Sequence, residues 1–280
     1  MKKVKVFTSN DLDGAGALMA LKWAIGDRCI MDHSISNIFN IKGDYEQLIA
    51  SSAGDVYSKI FILNMVPDFE LDDRTLCFSK SFTYTPKIKG RVLTARTTTS
   101  LVVGVFKKSL ENMTEAQHKF INIIDSYYKD GGDKKDAIKL NGILSYGRNK
   151  HSKFYERFID GFDGFIPEED TIISNYIKEL QTTYQNMGMY EHGSKKGIYV
   201  VTVNNMNHKH EILDLLFKWH EPKIVFLVDL DQGLMSVRKD QSYKLDMQTL
   251  CGTLLEGRAL LNCAGGKFTE KFLDFSRSFV

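Results

Sequence analysis

The chain has 280 residues, a formal net charge of +2 and four widely spaced cysteines, Cys29, Cys77, Cys251 and Cys263. Near-neutral charge excludes a global field for nucleic acid and leaves only a local basic groove, and cysteines without C-x-x-C pairing exclude a disulfide or zinc framework. With 43% apolar and 26% charged residues, no membrane-length apolar run, and an amino terminus (MKKVKVFTSND) that turns polar too soon for a signal peptide, a cytoplasmic globular protein of two domains is expected.

Strands and helices alternate from the start. VKVFTS reads as a strand and GALMALKWAI as a helix with Leu18, Leu21 and Ile25 on one face. KIFILNM, Lys59 to Met65, is a continuous apolar run suited to the middle of a parallel sheet, and TLCFS and GRVLTA are shorter strand candidates. A helix over TTTSLVVGVFKKSL is capped by Thr97, Thr98 or Thr99. A further helix over TEAQHKFINIIDSYYK stops at the glycines of KDGGDKKD.

Pro167 followed by Glu168, Glu169 and Asp170 suits the start of a helix, and helical spacing continues to Met187. YEHGSKKG is the linker candidate. Beyond it come strand IYVVTV, helix HEILDLLFKW, strands KIVFLVDL and LMSVRK, helix LDMQTLCGTLL and a strand near FLDFSRSF. The pattern predicts an α/β fold in two lobes: residues 1–166 on a mainly parallel sheet, a helical linker over 167–194, and a smaller α/β domain over 195–280.

The most informative stretch is SNDLDGAGAL, which sets Asp11 and Asp13 between a strand and a helix. Ligands of open α/β sheets bind at this edge, and two carboxylates there suit Mg²⁺ or Mn²⁺, with Gly14 turning the backbone tightly beneath the ion. The competing reading is that Asp13 caps the helix and Asp11 makes a local turn bond. A dinucleotide fingerprint is disfavoured because Met19 stands at its third glycine, and a P-loop at AGGKFTEKF because Leu261 replaces its first. His208 and His210, two residues apart, read as a polar helix start and not as a metal site.

TSNDLDGAGAL resembles the first motif of the DHH phosphoesterase superfamily, which includes RecJ-like exonucleases, nanoRNases and cyclic-dinucleotide phosphodiesterases. IIDSYYKDGGDKKDAIKLNGILSYG and FYERFIDG are similar to its fourth-motif region, and MSVRKD, LDMQTLCG and EGRALLNCAGG to its associated C-terminal domain. The resemblance implies two cations, usually Mn²⁺, activating a water against a phosphodiester. Asp11 and Asp13 match its catalytic and metal-holding aspartates. Ser9 stands at the first-motif histidine, and Asn64 at the aspartate that bridges both metals, with Asp68 four residues later. The DHH triplet is missing from LCFSKSFTYTP, where Lys80 lies, and the fourth-motif aspartate falls on Tyr128, with Asp125 the nearby acid.

In the C-terminal domain Arg238 matches the family's phosphate-contacting arginine. Gly257, Arg258, Ala259 and Leu260 occupy its glycine-rich loop without the histidine, and Asn262 and Arg258 complete the substrate-binding set. The expected function is a degenerate phosphoesterase that binds nucleotides or short single-stranded nucleic acid between Asp11/Asp13 and Arg238, with weak or no catalysis and with Mn²⁺ or Mg²⁺ weakly held or lost. Two alternatives stay open. One is an active metal-dependent phosphodiesterase on short oligonucleotides or cyclic dinucleotides, with Asp68 or Asp125 completing a one-metal site. The other is a scaffold for a protein partner or a second copy of the chain.

Overall fold

The computed structural model describes residues 1–37, 39–67, 69–79, 97–129, 133–146, 150–259 and 262–279. The chain is mixed α/β and divides into two compact units, Met1–Ile173 and Ser174–Val280. The expected strand GRVLTA, together with Asp68, Lys80 and Leu260, lies outside the described residues.

In the first unit, β1 (Lys2–Ser9), α1 (Leu12–Ile25), β2 (Cys29–Ser36), α2 (Ile41–Ala50), β3 (Tyr57–Leu63) and β4 (Thr75–Phe78) come first. They are followed by α3 (Thr98–Val105), α4 (Glu115–Tyr127), α5 (Lys135–Tyr146) and α6 (Lys150–Arg157). The four strands form a parallel sheet in the order β2-β1-β3-β4. Ile60 to Leu63 of β3 are all buried, because a central strand of such a sheet is covered on both faces. One face carries Phe7, Ile60 and Ile62 against Ile41 and Tyr45 of α2. Helix α1 packs against α3, α4, α5 and α6. In that layer Phe120, Phe154 and Phe158 meet with ring centroids 4.8–6.2 Å apart, and Trp23 closes on Phe120 while its indole N–H donates to Ile159 O. Each such buried ring contributes roughly 1.5–3 kcal/mol.

Helix α7 (Pro167–Asn186) begins at Pro167 with three acids in its first turn, and the division between the units falls inside it. The second unit continues with β5 (Gly188–Glu191), β6 (Ile198–Val203), α8 (Lys209–His220), β7 (Ile224–Asp229), β8 (Leu234–Lys239), α9 (Met247–Leu254), β9 (Leu255–Ala259), β10 (Cys263–Phe268) and α10 (Glu270–Ser276). Its sheet runs β5-β6-β7-β8-β10-β9, with β6 and β7 parallel and the other pairs antiparallel. Alternation sorts the side chains. Ile224, Phe226 and Val228 face α9 and α10, whereas Val225 and Leu227 face Ile212, Leu213 and Leu216 of α8 and Leu180 of α7.

Four local readings change. Tyr190 and Glu191, read as linker, are strand residues, and Gly197 at φ 83° helps turn the hairpin from β5 to β6. FLDFSRSF is helical: Phe272, Phe275 and Phe279 recur at helical spacing, with Phe275 tilted against Phe272 and edge-on to Phe279. Strand β2 escapes the pattern because CIMDHSIS is a half-exposed edge with polar residues along it. The glycine-rich loop of the C-terminal domain is for the most part the strand pair β9 and β10. No described helix is long and apolar enough to cross a membrane.

Candidate functional site

The parallel sheet delivers Asp11 and Asp13 to the carboxyl end of β1 and Asn64 to that of β3, the edge where open α/β sheets present ligand-binding groups. Asp11, in extended backbone, caps α1: its Oδ1 accepts the Gly14 N–H at 2.8 Å and the Ser9 hydroxyl at 3.0 Å. Gly14 sits inside the helix and makes no special turn. It is glycine because a Cβ there would lie 2.4 Å from Ser9 Oγ and 2.5 Å from Ser9 O, where α1 passes over the end of β1. Gly16, two residues on and facing the other way, is small for the same reason, against Ile124 and Thr99.

Asn64 follows β3 with φ 60°, a left-handed conformation that asparagine enters more readily than most residues. Its amide Nδ2 donates to Asp11 Oδ1 and Oδ2 at 2.9 and 3.0 Å and to Ser9 Oγ at 2.9 Å. Its Oδ1 accepts the Thr98 hydroxyl at 2.9 Å.

Asp13 is fully buried. Its carboxylate takes the Thr98 N–H on Oδ2 and both the N–H and the hydroxyl of Thr99 on Oδ1, each at 2.9 Å. It therefore closes the start of α3 from another element, while Thr97 caps α3 locally by accepting the Ser100 N–H at 3.0 Å. Asp125, on α4, accepts the hydroxyls of Thr97 and Ser100. Tyr128 reaches the same place, its phenol oxygen accepting the Asp13 N–H at 3.2 Å. Asp11, Asp13, Asn64, Asp125 and Tyr128 thus come together around the first turn of α3. Both aspartates cap helices, but with the roles moved: Asp11, not Asp13, caps α1, and Asp13, inside the first turn of α1, caps α3.

Beside this cluster, the buried Tyr155 hydroxyl is pushed above the ordinary phenol value, by burial first and by the charge of Asp11 second. His33 packs edge-on against it at 5.1 Å and is held below the ordinary histidine value by burial, then by Lys22 and Lys5. Among the described residues no group of three His, Cys, Asp or Glu side chains is placed to hold a metal ion.

In the second unit Arg238 lies on the α8 face of β8, and its guanidinium donates to Asp214 at 2.6 Å, with His210 3.5 Å away. His210 and Asp214 share a face of α8 at i, i+4. His208 instead lies buried ahead of that helix, its ring 4.6 Å from Tyr176 and its Nε2 3.5 Å from Glu179. The Asn262 carbonyl accepts the Lys239 N–H at 2.9 Å, which brings Asn262 next to Arg238 across the β8–β10 pair. Gly257 and Arg258 lie on β9, beyond β10. Gly257 is glycine because a Cβ would stand 2.1 Å from Gly265 O.

Thr98, Thr99 and Asp214 were not singled out as site residues by sequence. The hydroxyl-rich TTTS at a helix start was the available signal for the first two, and the i, i+4 spacing from His210 a weak one for the third.

No protein-family model matches the sequence, and no curated protein matches it. Solved structures do match its fold. Exonuclease RecJ bound to manganese aligns with 99% of this chain and 89% of its own, at TM-score 0.59 and 10% identity. RecJ in complex with Mn²⁺ from Thermus thermophilus aligns with 99% of this chain at TM-score 0.57 and 12% identity. This chain spans about half of that protein, 51% of its length. An exopolyphosphatase-related protein from Bacteroides fragilis aligns at TM-score 0.51 and 13% identity, over 99% and 91% of the two chains. At these identities the likeness is one of fold.

Proposed function

We propose that this chain, which has the DHH-superfamily fold, binds nucleotides or short single-stranded nucleic acid through their phosphates and hydrolyses them weakly or not at all. The observation that carries the reading is the donor set around Asp13. A metal ligand must turn oxygen lone pairs toward the ion, yet this buried carboxylate takes two backbone N–H groups and a hydroxyl. Asp125 takes two hydroxyls, and Asn64 points its amide N–H groups at Asp11 where a cation would need an oxygen. Asp11, Asp13 and Asn64 therefore do not fit the two-cation centre that the resemblance implies, and Mn²⁺ or Mg²⁺ is at most weakly held.

The ligand class is carried over from the solved structures, an exonuclease and an exopolyphosphatase-related protein, both named for chemistry on phosphate-linked chains. Phosphate recognition then falls to Arg238, with Gly257, Arg258 and Asn262 around the β8, β10 and β9 strands. Asp214 orients the Arg238 guanidinium, whose five N–H donors leave others to offer to a phosphate. The four cysteines, none of them in a disulfide, suit a cytoplasmic setting.

The deciding experiment is a panel of mononucleotides, linear and cyclic dinucleotides, and short single-stranded DNA and RNA. Each is scored for binding by fluorescence anisotropy and for turnover with and without Mn²⁺. The expected result is salt-sensitive binding that Mn²⁺ does not strengthen, without product. Cleavage in Mn²⁺ that Asp11→Ala abolishes would establish an active phosphodiesterase instead. Absence of binding to every member of the panel would leave the scaffold reading.

A further inference from the structure

We infer that Asp13 and Asp125 have become a clamp that orders the start of helix α3 by hydrogen bonds alone, so that folding of the N-terminal unit owes nothing to divalent cations. The first N–H groups of any helix lack partners within it. In α3 two of them, those of Thr98 and Thr99, are taken by Asp13, which comes from α1, 85 and 86 residues earlier in the chain. Asp125 holds the hydroxyls of Thr97 and Ser100 on the other side of the same turn. Carboxylate and helix start are mutually complementary in charge as well, since the N-terminal end of a helix carries partial positive charge. An ion that took the lone pairs now used by these donors would displace them and leave the two N–H groups buried without acceptors.

The clamp joins β1–α1, α3 and α4 into one ring, and Asn64 extends it to β3 through Thr98 and Asp11. This goes beyond ligand binding, and its test contains no nucleotide, so it can fail while the proposed function stands, and the reverse. Thermal unfolding of the whole chain is measured in EDTA and in millimolar Mn²⁺, for the wild type and for Asp13→Asn. Asparagine keeps an acceptor for one N–H but presents its own NH₂ to the other. The expected result is a wild-type Tm equal within about 1 °C in the two solutions. For Asp13→Asn the expected fall in Tm is roughly 4–8 °C in both.

If Asp13→Asn does not fold, Thr99→Val retains the carboxylate and removes only the hydroxyl donor. Amide exchange in the wild type in EDTA then reads the clamp directly. Thr98 and Thr99 N–H are expected to exchange as slowly as those in the interior of α3, and the Tm of Thr99→Val is expected to fall by roughly 2–4 °C. Mn²⁺ raising the wild-type Tm by several degrees, with the rise lost in Asp13→Asn or Asp11→Asn, would overturn the inference. So would fast exchange of Thr98 and Thr99 amides in EDTA.

Discussion

Replacing Asn64 by Asp changes one donor group into an anion at the centre of the cluster. The backbone should not object, because aspartate also enters the left-handed region in which Asn64 lies at φ 60°. The bond from Thr98 also survives, since the oxygen that accepts it is kept. What is lost is the donation from Nδ2 to both Asp11 oxygens at 2.9 and 3.0 Å. Hydrogen bonds to a charged group are worth about 1.5–3 kcal/mol. In their place two anionic oxygens would face each other, and at an effective dielectric of 20 unit charges that close repel by roughly 5 kcal/mol. Asp11 is only half-buried, so water and a rotation of either side chain relieve much of this. A net destabilisation of about 2–4 kcal/mol, or a fall in Tm of roughly 5–12 °C, is expected in EDTA. Differential scanning fluorimetry with a Mn²⁺ titration measures it. The variant, unlike the wild type, should regain Tm as metal is added, because a cation now has two adjacent carboxylates to bind. An unchanged Tm for the variant in EDTA would refute the assignment of Asn64 as donor to Asp11.

Other substitutions probe the packing and charge around the site. Gly16→Ala places a methyl 2.5 Å from both Ile124 Cδ1 and Thr99 Oγ1. The helix-propensity gain of about 1 kcal/mol is outweighed by overpacking of about 1–3 kcal/mol and a displaced Thr99 hydroxyl, so urea denaturation should show a net loss of about 1–2 kcal/mol. A stabilised variant would show that α1 and α3 do not pack this closely. Asp72 is held below the usual carboxylate range, first by its hydrogen bonds from the Arg74 guanidinium at 2.9 and 3.0 Å. Its contribution is complete above the ordinary carboxylate pKa of about 4 and fades as pH falls through the lowered value. The stability gap between wild type and Asp72→Asn should therefore shrink below about pH 4, and a gap constant from neutral to acid pH would count against it. Asp214→Asn removes the anion that engages Arg238. Affinity for a short oligonucleotide should rise about two- to tenfold, and Arg238→Ala should cancel the gain; equal affinities in all three proteins would take Arg238 out of the binding site.

Much of the fold could be read from the sequence because its elements bury one kind of surface each. The apolar run of β3, the Thr-capped start of α3 and the apolar runs of β6 and β7 all have a single good solution. Strand β2 and the β9–β10 pair were hidden for opposite reasons: the first is too polar for a buried strand, and the second too glycine-rich to look like a strand at all. At the site, Ser9, Asn64 and Tyr128 could be singled out from sequence, as departures from the motif that the chain resembles. What they do could not, because it depends on contacts that span 53 residues between Asn64 and Asp11 and 115 between Tyr128 and Asp13. The pairing of Arg238 with Asp214 is likewise a product of helix α8 lying on one face of the sheet.

The first-motif aspartates have a consequence for how such chains are recognised. Asp11 closes one helix and Asp13 another, so each would be defended by folding even after all chemistry had gone. An acidic D-x-D-G signature in a distant relative of this chain is then a mark of architecture, and says little about turnover. The diagnostic positions are the quieter ones, 64, 125 and 128. There, an oxygen turned toward open space is free to meet a cation, whereas one already satisfied by a neighbour is part of the packing.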